Sequence, residues 1–303
     1  MGDAKRHDAG GTRRTLTRRT LTRRPATAAP RLGRILPLPV RSIHIRRATI
    51  LPRCARLAPV IAHRGASADA PENTVAAMLR AADDGVQAVE IDVNISADGV
   101  PYVHHDERLQ RCTGHPGRLH EQPSRVLDAL HAGAGMPGFE IEPLARLETL
   151  LGVVIGRRLA LNLEIKAPPG RERVTTQAIC DVLERCWPSD RTLVFSSFSA
   201  TALQCAAERL PELPRALLVG RLPADWQQTL EHARAVNLHC AARHVDPTVA
   251  ARVADQGHGL YCFTVNEPDR AIELLAGGVH GVFTDVPARL LAAIRASAAA
   301  TDR

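Results

Sequence analysis

The sequence of 303 residues has few aromatic side chains, with nine Trp, Tyr and Phe residues in all. None of these rings cluster at the polar motifs described below, which argues against an aromatic loop that contacts a lipid surface. The chain has no apolar run of about 20 residues, so we expect a soluble protein with no stable membrane insertion. Lysine is almost absent too, because residues 59–303 hold 23 arginines and a single lysine, Lys166.

The seven cysteines are odd in number and include no CxxC pair. This pattern is typical of a reducing compartment, where each thiol is a small buried side chain. We therefore predict a cytoplasmic protein.

The formal net charge of +7 is unevenly divided along the chain. Residues 1–58 hold 15 basic and two acidic residues, whereas residues 59–303 hold 24 basic and 30 acidic residues. The basic segment contains the repeat TRRTLTRRTLTRR over residues 12–24, whose five-residue period fits neither a helix nor a strand. We therefore predict a disordered arginine-rich tail over residues 1–58 and a globular domain over residues 59–303.

Several explanations of the tail stay open. The apolar residues 35–40 are too few, and too far from the start, for a secretory signal. A transit peptide and an arm that contacts nucleic acid both fit the clustered arginines. We prefer an overextended start site or a tail without function.

From residue 59 onward, short β-rich apolar runs alternate with amphipathic segments, which predicts βα units on a parallel sheet. The chain contains eight candidate strands, the number that closes a single-domain (β/α)8 TIM barrel of about 250 residues. They are PVIAHRG from Pro59, AVEIDV from Ala88, LALNLEIK from Leu159, TLVFSSF from Thr192, RALLVG from Arg215, AVNLHCA from Ala235, GLYCFTVN from Gly259 and GVFTD from Gly281.

A ninth run, VPYVHH from Val100, follows the second strand so closely that the two must form an antiparallel hairpin. Apolar residues at helical spacing predict helices over residues 72–84, 144–154 and 269–275. Residues 111–142 contain scattered glycines and prolines, and we predict a loop there that caps one end of the barrel.

Polar side chains lie at the ends of three candidate strands and of the hairpin. Active sites of such barrels lie where the strands end, so we expect these side chains to converge. They are His63 and Arg64 after the first strand, Glu90 and Asp92 in the second, Glu164 and Lys166 in the third, and His104 and His105 in the hairpin.

The three carboxylates predict a metal site. Glu90 and Asp92 are two residues apart on one strand and therefore face the same side. Buried together with Glu164 they would repel one another unless a cation lay between them. Because all the ligand atoms are oxygens, we predict one divalent cation, Ca²⁺ or Mg²⁺.

The remaining polar groups are suited to proton transfer and to phosphate binding. His63 and His105 exchange protons near neutral pH, so we predict a general acid and a general base. Arg64 offers planar donors to phosphate oxygens, and Lys166 offers a point charge. The chain otherwise prefers arginine, so a lysine two residues after Glu164 indicates that a compact ammonium group is required there.

The chain resembles the glycerophosphodiester phosphodiesterase family in eight motifs, which occur in order over residues 59–292. They are HRG from His63, PENT from Pro71, ExD from Glu90, DG from Asp98, HD from His105, EIK from Glu164, TVN from Thr264 and a loosely matched GVHGVFTDVP from Gly278.

The resemblance implies a (β/α)8 enzyme that hydrolyses small glycerophosphodiesters to sn-glycerol 3-phosphate and an alcohol. It implies His63 and His105 as the acid and base, and Glu90, Asp92 and Glu164 as metal ligands. It implies five substrate-binding residues, namely Arg64, Lys166, Glu72, Asn73 and Phe263. Phe263 stands where the family commonly has Trp, Cys112 stands where it often has Thr, and Asp106 favours His105 over His104 as the match.

Three alternatives are weaker. A phospholipase C or D type barrel acting on intact lipid would need an apolar rim that the few aromatics do not supply. In a nucleic-acid-associated protein the basic tail would carry the function. An isomerase or aldolase barrel would place its lysine in an apolar pocket rather than beside carboxylates.

Overall fold

The computed structural model describes residues 54–301, so the predicted basic tail lies outside the described residues up to residue 53. Eight parallel strands form a closed barrel, which confirms the predicted TIM barrel. The strand after the second barrel strand pairs with it in antiparallel fashion, also as predicted. In chain order the strands are β1 (Val60–Ala62), β2 (Ala88–Ile95), β3 (Pro101–Val103), β4 (Ala160–Ile165), β5 (Leu193–Ser197), β6 (Arg215–Val219), β7 (Asn237–Ala241), β8 (Gly259–Phe263) and β9 (Gly281–Thr284).

Strand β1 closes the barrel, because it pairs with β2 on one side and with β9 on the other. Helices follow the strands along the chain. Within residues 54–301 no helix has the length and hydropathy of a membrane span. The helices are α1 (Val75–Asp83), α2 (Gln110–Thr113), α3 (Ser124–Leu127), α4 (Leu147–Gly156), α5 (Glu172–Cys186), α6 (Ala200–Arg209), α7 (Trp226–His232), α8 (Pro247–Ala254), α9 (Pro268–Ala276) and α10 (Pro287–Thr301).

Successive side chains of β2 point alternately to the apolar core outside the barrel and to the site inside it. Ile91 and Val93 are fully buried in the main apolar cluster, which joins the strands to the helices around them. Glu90 and Asp92 occupy the intervening positions and therefore face the barrel interior. This pleat places carboxylates inside a barrel that is otherwise closed by apolar packing.

A short segment before β1 closes the bottom of the barrel, at the N-terminal ends of the strands. The backbone of Ala55 bonds the side-chain amide of Asn237 in both directions, at 3.1 and 2.7 Å. The amide of Leu57 donates to the hydroxyl of Tyr261 at 2.8 Å. Gly259 is required beside this contact, because a Cβ there would lie 2.5 Å from Oδ1 of Asn237. Residues before the predicted boundary at Pro59 thus pack on the barrel, while the boundary itself stays a prediction.

The region between β2 and α4 has more structure than the loop predicted over residues 111–142. It contains α2, α3 and a 3₁₀ turn, Leu119–Glu121, which are all too short to show a sequence period. Asp98 accepts hydrogen bonds from the amide and the hydroxyl of Ser124, at 2.8 and 2.7 Å. The region, which we call the excursion (residues 96–146), has a small apolar core of its own, formed by Tyr102, Leu109, Leu119, Leu127, Ala132 and Leu144.

Removal of the bottom segment is expected to destabilise the barrel. A chain that begins at Pro59 leaves the side chains of Asn237 and Tyr261 without the partners that they have in a chain beginning at Cys54. Buried polar groups that lose their partners cost about 1–3 kcal/mol each. We therefore expect the shorter chain to melt roughly 5–15 °C lower. Thermal unfolding of the two truncations tests this, and equal melting temperatures would show that the segment is dispensable.

Candidate active site

The loop after β1 carries His63 and Arg64 at the mouth of the barrel, the C-terminal end of its strands. Arg64 has a left-handed backbone (φ 58°), which costs energy for a side chain of this size. The conformation lets its backbone amide donate to Oε2 of Glu90 at 2.8 Å. Gly65 follows with φ 81°, and a Cβ there would lie 2.7 Å from Ala77. The HRG motif is therefore a tight turn that fits between β2 and α1.

The three predicted metal ligands converge. Asp92 and Glu164 lie opposite each other in the parallel pairing of β2 and β4. Glu90 lies one inward position below Asp92. Each of the three residues offers a carboxylate oxygen, and these oxygens lie within 4.8 Å of one another. The structure thus brings together the acids that the sequence places on two strands.

The electrostatics of this cluster favour a bound cation. Burial raises the pKa of Glu90 well above its usual range, and the charges of Asp92 and Glu164 raise it further. Burial and the charge of Asp92 raise the pKa of Glu164 to about 7, although Lys166 opposes the shift. Oε1 of Glu90 is buried and has no hydrogen-bond partner among the described residues. A hard divalent cation would neutralise the charges and take up that oxygen, so the residues fit such an ion.

Two basic side chains flank the carboxylates. Nε of Arg64 lies 3.3 Å from Oδ2 of Asp92, and Nζ of Lys166 lies 3.1 Å from Oε1 of Glu164. Burial opposes the charge of Lys166, but Glu164 and Asp92 outweigh it and raise the lysine pKa. Both groups therefore stay positively charged beside the cluster.

His63 is held by a carboxylate that the sequence prediction did not assign. Its Nδ1 lies 2.7 Å from Oδ1 of Asp285, which follows β9. Asp285 also accepts hydrogen bonds from Ser67 at 3.0 Å and from Nδ2 of Asn266 at 2.8 Å. Burial raises the pKa of Asp285, but the hydrogen bonds from His63 and Asn266 outweigh it and lower the pKa to about 2. An ionised Asp285 fixes the ring of His63 and leaves Nε2 as its free nitrogen.

His105 is held in a similar way from the excursion. Its Nδ1 lies 2.7 Å from Oδ1 of Asp106, and Nε of Arg111 donates to Oδ2 of the same aspartate at 2.6 Å. Arg111 also donates two hydrogen bonds to Glu72, at 2.6 and 2.7 Å. The neighbouring His104 is buried and contacts the carbonyl of Arg108 instead. The hairpin therefore presents His105 to the mouth, as Asp106 indicated.

One cavity of about 170 Å³ joins most of the groups that the sequence singled out. Phe263 and the exposed Phe198 form an apolar wall, with their rings edge to face at 6.1 Å. The cavity lining includes His63, Arg64, Glu90, His105, Glu164, Lys166 and Phe263.

Glu72 and Asn73 support the site rather than line this cavity. Glu72 accepts a hydrogen bond from Arg64 at 2.9 Å. The side chain of Asn73 bonds Asp92 twice, donating to Oδ2 at 2.8 Å and accepting from the backbone amide at 3.1 Å. In the PENT motif, Thr74 caps α1 by accepting from the amide of Ala77. The contact of Glu72 and Asn73 with substrate stays a prediction.

Sequence reasoning missed Asp285, Asn266 and Arg111. Asp285 and Asn266 belong to the TD and TVN motifs, for which the sequence predicts no role. Arg111 lies at the start of the region predicted as a loop. Asp285 contacts His63, 222 residues away, whereas Arg111 contacts Asp106 and Asn266 contacts Asp285, 5 and 19 residues away. For Asp285 and Asn266 the motif letters were the available signal.

The chain matches known proteins over most of its length. A sequence profile of the glycerophosphoryl diester phosphodiesterase family matches residues 63–289. A glycerophosphodiester phosphodiesterase of Caldanaerobacter subterraneus subsp. tengcongensis is 29% identical over 242 residues, which cover 78% of this chain and 97% of that protein. A glycerophosphodiester phosphodiesterase of Bacillus altitudinis is 31% identical over 237 residues, which cover 76% of this chain and 95% of that protein.

Solved structures match the fold as well. The structure of an Oleispira antarctica phosphodiesterase in complex with the product sn-glycerol-3-phosphate superposes with a TM-score of 0.77 and 36% sequence identity. The match covers 79% of this chain and 97% of that protein.

Divalent cations are expected to stabilise the folded protein. An ion that binds only the folded state at about 100 times its Kd adds about 2.7 kcal/mol to the free energy of unfolding. For a domain of this size that corresponds to a rise in melting temperature of roughly 5–10 °C. Thermal unfolding of chelator-treated protein, with and without added Mg²⁺ or Ca²⁺, measures the effect.

A charge-removing variant makes the same experiment specific to the carboxylate cluster. Glu90→Gln removes one of the repelling charges, so we expect the metal-free variant to be at least as stable as wild type. It should also lose most of the rise that the cation gives. Glu231→Gln, at an exposed position, is the matched control and should keep that rise. An equal rise in Glu90→Gln and wild type would contradict binding at this cluster.

Proposed function

The chain belongs to the glycerophosphoryl diester phosphodiesterase family, and we propose that it hydrolyses a small glycerophosphodiester to sn-glycerol 3-phosphate and an alcohol at the mouth of its barrel. The observation that carries this proposal is the composition of one cavity. Two histidines, two basic side chains and two of the three clustered carboxylates line it together. Phosphodiester hydrolysis needs these groups, because it requires two proton transfers and neutralisation of charge on the phosphoryl oxygens.

His63 and His105 are proposed as the proton-transfer groups. Each has its Nδ1 held by an aspartate, which leaves Nε2 to exchange protons with substrate. One takes a proton from the nucleophile, and the other gives a proton to the departing alkoxide, each step contributing about 10²- to 10⁴-fold. Burial, together with Arg64 and Lys166, lowers the pKa of His105 despite the opposing charge of Asp92. The ring of His105 is thus neutral at neutral pH, which favours it as the proton acceptor.

Arg64 and Lys166 are proposed to bind the phosphate group. The guanidinium group of Arg64 offers several planar donors and is fixed by Glu72 and Asp92. Lys166 adds a compact charge beside Glu164. A divalent cation held by Glu90, Asp92 and Glu164 would polarise a phosphoryl oxygen when bound. The all-oxygen ligand set supports Ca²⁺ or Mg²⁺ for this role.

A small substrate is favoured over an intact lipid. Among the described residues the exposed large apolar side chains are Ile141, Val174 and Phe198, and of these only Phe198 lines the mouth. A single exposed ring does not make a surface that would seat in a membrane.

We also propose a cytoplasmic location. All seven cysteines fall within the described residues, and all are unpaired. Contact of the basic tail with nucleic acid stays a prediction, because residues 1–53 lie outside the described residues.

Release of sn-glycerol 3-phosphate from a panel of glycerophosphodiesters tests the activity. We expect turnover with Mg²⁺ or Ca²⁺ and its loss with chelator. His63→Ala and His105→Ala should each reduce kcat by roughly 10²-fold or more while the melting temperature stays within a few degrees. His131→Ala, at an exposed position of the excursion, is the matched control and should keep full activity. Near-wild-type turnover by either active-site variant would refute its role.

Asp285→Asn is expected to slow turnover through His63. The variant keeps the shape of the side chain but loses the charge that fixes the ring, so kcat should fall by about 100-fold or more. KM should change by less than about threefold, since Asp285 is outside the cavity lining. Steady-state kinetics beside Asp69→Asn, an exposed control, distinguish these effects. A rise in KM at constant kcat would contradict the positioning role.

A further inference from the structure

The floor of the active-site cavity carries a buried histidine that the proposed mechanism does not use. His239 lies in β7 and is fully buried. Its ring packs against Tyr261 and Phe283, with centroid distances of 5.3 and 4.9 Å. Neither ring nitrogen has a hydrogen-bond partner among the described residues. The same residue lines the cavity that His63 and His105 line.

A second unpartnered group lies on the same floor. Asn162 in β4 is 1% exposed, and its Nδ2 donates to the hydroxyl of Ser196 at 2.8 Å. Its Oδ1 is buried and has no partner within the described part of the chain. Asn162 also lines the cavity.

These two groups together point to a ligand. Buried polar atoms in folded proteins are almost always hydrogen-bonded, and an unmet one costs about 1–3 kcal/mol. Two buried polar side chains that lack hydrogen-bond partners on one cavity floor are therefore explained most simply by a polar molecule that enters the cavity.

The chemistry of the floor selects a neutral hydroxyl group. Burial lowers the pKa of His239 to about 3, so its ring is uncharged at neutral pH and offers one donor and one acceptor. Asn162 adds an acceptor. Neither residue carries a charge that would attract an anion or an ammonium group. A hydroxyl, which both donates and accepts, matches this set.

We propose that His239 and Asn162 form a hydroxyl-binding floor that holds the glycerol end of the substrate. The other alcohol then lies toward the open mouth, beside Phe198 and Phe263. The inference rests on the proposed function and adds to it a direction of binding. It makes the glycerol side of the site polar and closed, and the alcohol side apolar and open.

Binding of two phosphate monoesters isolates the hydroxyl contacts. Calorimetric titration with Mg²⁺ present compares sn-glycerol 3-phosphate with n-propyl phosphate, which has the same chain length and no hydroxyls. We expect wild type to bind the glycerol compound at least about tenfold more tightly. His239→Phe fills the same space without ring nitrogens, and this preference should fall by about fivefold or more. Binding of n-propyl phosphate should change little.

Further variants keep the test decisive if His239→Phe folds poorly. His239→Gln retains a donor and an acceptor and should recover part of the preference, whereas Asn162→Leu should lose part of it. Leu218→Met alters an apolar position of the same lining and should keep the preference. Melting temperatures identify any variant whose fold has changed.

The outcomes separate the inference from the proposed function. Wild-type turnover of glycerophosphodiesters with an undiminished preference in His239→Phe and Asn162→Leu overturns the inference alone and assigns the floor to ordered water. Equal loss of affinity for both ligands also overturns it, because that result indicates a structural role. A wild-type protein that releases no sn-glycerol 3-phosphate from any glycerophosphodiester overturns the proposed function and, with it, the inference.

Discussion

Repulsion among Glu90, Asp92 and Glu164 is the constraint on which the mouth of the barrel depends. Three carboxylates that converge within 4.8 Å in a buried site need compensation from every side. The left-handed Arg64 turns its backbone amide to Glu90, and Asn73 bonds Asp92 twice. The strained backbone of Arg64 and the burial of polar groups lower the stability of the fold, and the apolar packing between strands and helices offsets this loss.

An aspartate holds each of the two histidines, and the two aspartates differ in the charge of their other partners. In both, an aspartate holds Nδ1 and is itself held by a further group. The partners of Asp285 besides the histidine are the neutral Ser67 and Asn266, whereas Asp106 shares its charge with Arg111.

Local pattern was enough to predict the barrel and the convergence of its polar strand ends. Strands buried on both faces appear as continuous apolar runs, so β1, β2 and the six later barrel strands stand out between amphipathic helices. The short helices of the excursion did not stand out, because they are held by contacts such as that between Asp98 and Ser124 and have no sequence period of their own. The role of Asp285 was not predicted either, since 222 residues separate it from His63. Sequence spacing carries no information about such a pair until the barrel has closed.

The contacts at the bottom of the barrel bear on how the chain folds during synthesis. Ala55 and Leu57 are made early, yet their partners Asn237 and Tyr261 follow 182 and 204 residues later. Translation at about 5–20 residues per second puts about nine seconds or more between the two halves of this contact. During that interval the first strands have left the ribosome with one end of the barrel unsealed and their apolar faces uncovered. The nascent chain therefore depends on its last quarter for closure, and chaperones that shield early strands have a defined period in which to act.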